Sequence, residues 1–321
     1  MASGIRGSED PQGCDSSRQQ GGHTPDVRRL KPALDRLYRQ FDRSGRVSDP
    51  IERVRPFTNP ADAQIVAFCA AGLAFGRVAS IVAAIDALLD VMGPSPSAFV
   101  RRFEPERDGP GLEHLGHRWM SGKDLVALVW ILRQMLDAAG SLEQFFVDGD
   151  TPSSPDIGTG LDSFCERARE LDVRRVYGRA AGRPGVHGFF ARPSDGSACK
   201  RLNLFLRWMV RHDAIDLGIW RRISPSRLII PLDVHVVRVG QCLRLTNYRS
   251  PGWRMAADIT TSLRTLDPDD PVRYDFALCH LGMLNLCGFN QPAGDSHCPL
   301  RGACRPRARR RRASRPPSDP R

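Results

Sequence analysis

Residues 192–239 of this 321-residue chain read RPSDGSACKRLNLFLRWMVRHDAIDLGIWRRISPSRLIIPLDVHVVRV. They begin with a turn at 193–197, because proline fixes φ, glycine permits positive φ, and aspartate and serine side chains bond to nearby amides. After the turn, apolar residues recur at the spacing of one helix face, which predicts a helix over 199–211 with one buried stripe. That stripe consists of Leu202, Phe205, Leu206 and Met209.

The start of this helix is a candidate phosphate site. Gly196 and Ser197 lie at its N-terminus, where free amide groups and the helix dipole favour an anion. Three basic residues, Arg201, Arg207 and Arg211, are expected to make the polar side of the helix positively charged.

A second helix is predicted to begin at Asp233. Pro231 disfavours helix before it, and apolar residues at Val236, Val237 and Val239 follow it. Aspartate is a favoured residue at the N-cap, so Asp233 is expected to cap this helix.

The segment PLDVHVVRV, residues 231–239, resembles the aspartate motif of the helix–hairpin–helix DNA glycosylases, the superfamily of endonuclease III and 8-oxoguanine glycosylase. In that family a Val-Asp-Thr-His-Val-x-Arg segment follows the hairpin and supplies the catalytic carboxylate. Asp233, His235 and Arg238 match the motif. Bifunctional members carry a lysine just after the hairpin, where this chain has Lys200. The resemblance covers about residues 55–304 and is closest to a bacterial branch of the superfamily.

The chain departs from the family pattern in three ways. Val234 replaces the usual threonine, and the usual Leu-Pro-Gly-Val-Gly hairpin is replaced by residues 193–196. The 33 residues from Lys200 to Asp233 exceed the endonuclease III spacing and are similar to that of the archaeal 8-oxoguanine glycosylase branch.

The resemblance implies a base-excision repair glycosylase that acts on a damaged purine in double-stranded DNA, with 8-oxoguanine as the leading substrate. Such an enzyme flips the base into a pocket to reach C1′. Lys200 would attack C1′ and form a Schiff base, which adds lyase activity, and Asp233 would stabilise the positive charge at C1′. The residues expected to contact the DNA are Gly196, Ser197, Arg201, His235 and Arg238.

Simpler interpretations stay open for the same residues. A lysine in the first turn of a helix is usually a solvated charge, and Asp233 alone is more often a plain N-cap. Trp208 and Trp220 are candidates for stacking on a flipped base, although their spacing favours the core. The alternative functions are a non-catalytic DNA-binding protein on the same fold and a helical scaffold for a protein partner.

The rest of the chain predicts an all-α, two-lobed fold of the HhH-GPD glycosylase kind, since strand-like alternation is scarce. Disordered tails are expected at 1–27 and 305–321, and the helical domain spans 28–304 with a lobe boundary near 149–160. Helices are predicted in seven further places: 31–41, from Asn59, around 81–92, 123–139, 142–146, 161–177, and 253–266, with another starting at Asp269-Asp270-Pro271.

The composition favours a polyanionic partner. The formal net charge is +11, and part of the excess lies in the arginine-rich segment after residue 304. There is no apolar run of membrane-spanning length and no signal-peptide core, and nine scattered cysteines are typical of reduced thiols. We therefore expect a monomer in the cytoplasm, associated with the nucleoid and without a membrane partner.

Three cysteines near the end, Cys287, Cys298 and Cys304, form the second candidate site. Endonuclease III-like proteins often close with four cysteines that bind a 4Fe–4S cluster, and the last spacing, Cys-x5-Cys, is present here. Asp295 stands where another cysteine is expected, and cluster binding normally needs four thiolates. The sequence therefore favours a remnant loop with free thiols over an intact cluster or a zinc site with His297.

Overall fold

The computed structural model describes residues 27–42, 49–179, 184–284, 286–287 and 298–301. Within these ranges the chain is all-α, as predicted, and the only β-type pairings are two isolated bridges, His117 with Met120 and His212 with Leu217. The α-helices in this part of the chain are α1 (Lys31–Phe41), α2 (Pro60–Leu73), α3 (Val78–Met92), α4 (Pro96–Arg102), α5 (Pro105–Asp108), α6 (Pro110–Glu113), α7 (Gly122–Ala139), α8 (Leu142–Val147), α9 (Gly158–Glu170), α10 (Arg174–Tyr177), α11 (Pro184–His187), α12 (Lys200–Val210), α13 (Val234–Cys242), α14 (Trp253–Arg264) and α15 (Asp275–Met283).

Local signals explain where the central helices begin. The Asn59 side chain accepts a hydrogen bond from the Ala61 amide and Pro60 occupies the first turn, as predicted for α2. Ser121 and Asp124 form a reciprocal capping box at the start of α7, and Gly140 ends that helix in the left-handed conformation.

Two predicted boundaries are wrong. The expected helix at 161–177 is broken after Glu170, where Leu171 takes an extended conformation and the Asp172 amide donates to the Gln134 side chain. The last helix begins at Asp275 rather than at Asp269, because residues 271–274 form turns and the Asp270 carboxylate is used by Arg211.

The core is assembled around α2, which is buried on almost every side and packs against α12. Phe68 of α2 lies within 5.1–6.3 Å, ring centre to ring centre, of Phe164, Phe190 and Phe205. The second pair of packed helices consists of α13 and α15. The starts of α12 and α13 line one cavity, so these two helix pairs position the candidate site.

The expected lobe boundary at 149–160 is a loop as far as residue 157, where α9 follows, and this loop is held at both ends. Arg227 donates to the Asp150 carboxylate at 2.7 and 2.8 Å, and the Ile157 amide donates to the Arg227 carbonyl. The N-terminal tail predicted at 1–27 falls outside the described residues except for Val27, and the arginine-rich tail at 305–321 falls outside them altogether.

Among the described helices, none alone has the length and apolar character needed to cross a membrane. The bent pair of α3 and α4 passes that test by length and composition only.

Candidate functional site

A cavity of about 390 Å³ lies between the starts of α12 and α13 and one face of α15. Lys200, the first residue of α12, and Asp233, the N-cap of α13, both line it. Its volume is in the range of small-molecule pockets, roughly 300–1,000 Å³. The two residues that sequence analysis paired across 33 positions therefore meet at one cavity.

Lys200 is anchored at the end of α2. Its Nζ donates to the Ala74 carbonyl at 3.1 Å, and its side chain is only partly exposed. The preceding residue, Cys199, has φ 48° and ψ 33°, a left-handed conformation that a non-glycine residue seldom adopts. This conformation redirects the chain from the turn into α12 and places Lys200 at the cavity.

Asp233 caps a helix and also faces the cavity. Its Oδ1 accepts from the His235 and Val236 amides at 2.9 and 2.8 Å, so the predicted N-cap is confirmed. Its Oδ2 accepts a hydrogen bond from the Cys279 thiol at 3.0 Å. Burial, with Asp233 and Asp275 nearby, raises the Cys279 pKa well above its ordinary value, while Lys200 opposes the change. This thiol is therefore protonated and serves as the donor to the carboxylate.

The turn before α12 is present as predicted. Gly196 has φ +77°, and its amide donates to the Pro193 carbonyl at 2.8 Å. The Gly196 carbonyl accepts from the Trp253 amide, and the Ser197 hydroxyl accepts from the Cys199 amide. The turn is exposed at Gly196, and its contact with a DNA backbone stays a prediction.

The predicted basic face of α12 is wrong. Arg207 and Arg211 are 2% and 4% exposed, because carboxylates from three other segments surround them. Arg207 pairs with Asp216 and Asp275. Arg211 pairs with Asp216, and with Asp213 and Asp270 at 2.8–2.9 Å. These two arginines of α12 therefore form buried ion pairs and do not make the helix surface basic.

Arg201 also points inward. Its guanidinium donates to the Gly72 carbonyl at 2.9 Å and to the Gly188 carbonyl, and it lies 5.3 Å from the centre of the Phe75 ring. Burial lowers its pKa to about 10. These contacts brace the loop after α2, so Arg201 is not positioned as a surface phosphate ligand.

His235 and Arg238 are three residues apart on α13 and differ in exposure. His235 lines the cavity and packs against α15, whereas Arg238 is exposed at the surface. Val234, which replaces the family threonine, is 54% exposed at the cavity edge. The predicted DNA contacts of His235 and Arg238 remain predictions.

Trp208 and Trp220 are buried in the core, as their spacing indicated, and neither is available to stack on a base. An aromatic residue that sequence analysis missed, Trp119, is 52% exposed. Its ring stacks on Phe75 at 5.2 Å, and Phe75 lines the cavity. Trp119 lies in the His117–Met120 turn, far along the chain from the aspartate motif, so only the fold brings it to this rim.

The residues that form the floor of the cavity were also not predicted from the sequence. Asp275, Cys279 and His280 come from α15, at i, i+4 and i+5, and face Arg207 of α12. Polar residues within an otherwise apolar helix were the available signal. Nothing in the local sequence pattern connects α15 to Lys200, so the sequence does not predict these side chains as part of the site.

Gly282 determines how closely α13 approaches α15. A Cβ at this position would lie 2.6–2.9 Å from the Cβ, Nδ1 and Cγ atoms of His235. We expect Gly282→Ala to lower the free energy of unfolding by about 1–3 kcal/mol, because the two helices must separate. Urea unfolding followed by circular dichroism measures this.

Gly111 supplies the matched control. A Cβ there would make only an ordinary contact, at 3.5 Å from a methyl group of Val91. Gly111→Ala should be neutral or slightly stabilising. Equal effects of the two substitutions would contradict the close approach of α13 and α15 at His235.

The cysteine site is only partly described. Cys287 and Cys298 are buried, while Cys304, Asp295 and His297 lie outside the described residues. Within the ranges that the structure covers, no group of three or more His, Cys, Asp or Glu side chains is arranged to hold a metal ion. The 4Fe–4S cluster and its remnant-loop alternative both stay predictions.

The fold and the cavity define an all-α protein with an amine and a carboxylate on one cavity wall. The chain belongs to the family described as "Protein of unknown function (DUF2400)", whose model matches residues 49–284. No curated protein and no solved structure matches the chain.

Proposed function

We propose that this protein is a DNA base-excision repair glycosylase with lyase activity, acting on a damaged purine such as 8-oxoguanine. The observation that carries the proposal is that Lys200 and Asp233 line the same cavity. The resemblance of residues 231–239 to the glycosylase aspartate motif supports the assignment of these two roles. The proposal places the enzyme in the cytoplasm as a monomer on double-stranded DNA.

The proposed reaction begins with a nucleotide everted into the cavity, so that C1′ faces Lys200. The amine bonds to C1′ as the glycosidic bond breaks, and the bonding electrons leave with the base, which takes up a proton. Asp233 stabilises the positive charge that develops at C1′ and accepts a proton from the lysine nitrogen. Opening of the sugar ring leaves a Schiff base between Lys200 and C1′.

Features around the cavity support DNA as the substrate. Trp119 offers an exposed ring at the rim, where a nucleobase can stack. Arg118, beside it in the same turn, and Arg77, beside Gly76 of the cavity wall, are both exposed. The overall charge of +11 favours binding to phosphates.

Borohydride trapping on lesion-containing duplexes tests the proposal. The chain has three lysines, Lys31, Lys123 and Lys200, so a trapped adduct is readily mapped. We expect base release and a covalent adduct on Lys200, and we expect Lys200→Ala to abolish the adduct. Lys123→Ala is the matched control and should trap as the wild type does, since Lys123 lies in the first turn of α7, away from the cavity. No adduct and no base release on any lesion of the panel would refute the enzymatic proposal.

A non-catalytic DNA-binding protein is the second candidate. This alternative is favoured because Lys200 and Asp233 each have a structural contact. Lys200 donates a hydrogen bond to the Ala74 carbonyl, and Asp233 caps α13. Under this alternative, duplex binding would fall steeply with salt and yield no product, and it would be the same in wild type and Asp233→Asn.

A further inference from the structure

Three buried side chains on the cavity floor keep polar atoms without a protein partner. Arg207, Asp275 and His280 are 2–3% exposed and line the cavity. Each uses part of its hydrogen-bonding capacity in the protein. The unpaired atoms are Nη2 of Arg207, Oδ1 of Asp275 and Nε2 of His280.

The protonation of each group follows from its contacts. Arg207 is charged and can only donate, because it pairs through Nε with Asp216 and through Nη1 with Asp275. Burial raises the Asp275 pKa to about 6 in spite of Arg207, so near neutral pH it is a carboxylate and Oδ1 accepts.

His280 is a second acceptor. Its Nδ1 lies 2.8 Å from the Phe276 carbonyl, which can only accept, so Nδ1 carries the proton. Burial lowers the His280 pKa, which keeps the ring neutral and leaves Nε2 with a lone pair. His235 is not part of this set, because its unpaired Nδ1 lies against the backbone of Gly282.

The three unpaired atoms on the floor are therefore one donor and two acceptors, and their complement is a ligand edge with one acceptor and two donors. Guanine has this edge, with O6 as acceptor and N1–H and N2–H as donors. Adenine lacks the carbonyl and N1–H, and hypoxanthine lacks the amino group. Enzymes that flip a base read it on this Watson–Crick edge.

We propose that Arg207, Asp275 and His280 select a guanine-derived base by its unmodified Watson–Crick edge, so that the lesion must lie elsewhere on the ring. This inference rests on the proposed function and narrows its substrate class. The three atoms have almost no solvent-accessible surface, so binding of the base requires their side chains to turn toward the cavity that they line.

Binding to non-cleavable DNA tests this selection without relying on catalysis. Three duplexes carry 8-oxoguanine, 8-oxohypoxanthine or 8-oxoadenine as the 2′-fluoro nucleotide, which resists glycosidic cleavage, each opposite an abasic site. The three bases share the 8-oxo ring and differ only in the tested edge. Competition measured by fluorescence anisotropy should give the tightest binding for 8-oxoguanine, with about tenfold weaker binding for each hydrogen bond lost.

A single substitution assigns the preference to the floor. We expect His280→Phe, which keeps the ring but removes Nε2, to reduce the preference for 8-oxoguanine over the other two bases by about tenfold. His212→Phe is the control. The Nδ1 atom of His212 is also hydrogen-bonded to a carbonyl, at 3.1 Å, but His212 does not line the cavity.

The outcomes separate this inference from the proposed function. Equal binding of the three duplexes by the wild type would overturn it, whether or not the variant folds. Lysine-trapped adducts formed equally well on oxidised pyrimidines would also overturn it while leaving the glycosylase proposal intact. If the duplexes bind in the predicted order but no lesion gives a trapped adduct, base selection by the floor residues is supported and the proposed catalysis is refuted.

Discussion

Asp233→Asn is expected to slow base release by roughly 10²–10³-fold, the loss typical when a group that stabilises transition-state charge is removed. Asparagine caps a helix about as well as aspartate, so the amide oxygen can keep the bonds that Oδ1 accepts from His235 and Val236. The unfolding midpoint should therefore stay close to that of the wild type. The measurement is single-turnover release of the base from a lesion duplex.

The same substitution should preserve binding to DNA. Removal of a negative charge near the phosphates is expected to leave affinity unchanged or to increase it slightly. Asp156→Asn is the matched control, because the Asp156 Oδ1 also accepts from an amide at a helix start, that of Gly158 at 2.8 Å, but Asp156 does not line the cavity. Wild-type rates for Asp233→Asn would mean that this carboxylate only caps α13.

Arg211→Ala is expected to cause the largest loss of stability, about 3–5 kcal/mol, which is typical when one partner of a buried ion pair is removed. Burial alone would lower the Arg211 pKa, but Asp216 and Asp270 more than offset it and hold the pKa above its ordinary value. Without Arg211, the fully buried Asp216 would retain only Arg207. Urea unfolding followed by circular dichroism measures the loss.

An exposed ion pair controls for the general effect of removing an arginine. Arg174 pairs with Asp172 at 2.7 Å, but both side chains are largely in solvent. Arg174→Ala should not change the unfolding midpoint measurably, because exposed pairs contribute little. Similar midpoints for Arg211→Ala and the wild type would show that the Arg207–Arg211 network does not hold the cavity floor.

The two halves of the site differ in how far the sequence predicted them. The turn at 193–196, the start of α12 and the cap at Asp233 were predicted from turn chemistry, helical spacing and capping preference. The arginines of α12 were misassigned to the surface. These arginines pair with carboxylates at 213–216, 270 and 275. The packing of distant segments decides which of these charges are buried together.

The sequence by itself determined the all-α character, most helix positions and the order of the turn, Lys200 and Asp233, because these depend on residues within a few positions of each other. Only the tertiary structure decided that Lys200 and Asp233 share a cavity, that Arg207 is buried beneath it and that Asp275 and His280 form its floor. The physical reason is that burial changes what a polar side chain does. Away from water, an unpaired donor or acceptor is costly, so its role depends on distant segments that the fold packs against it.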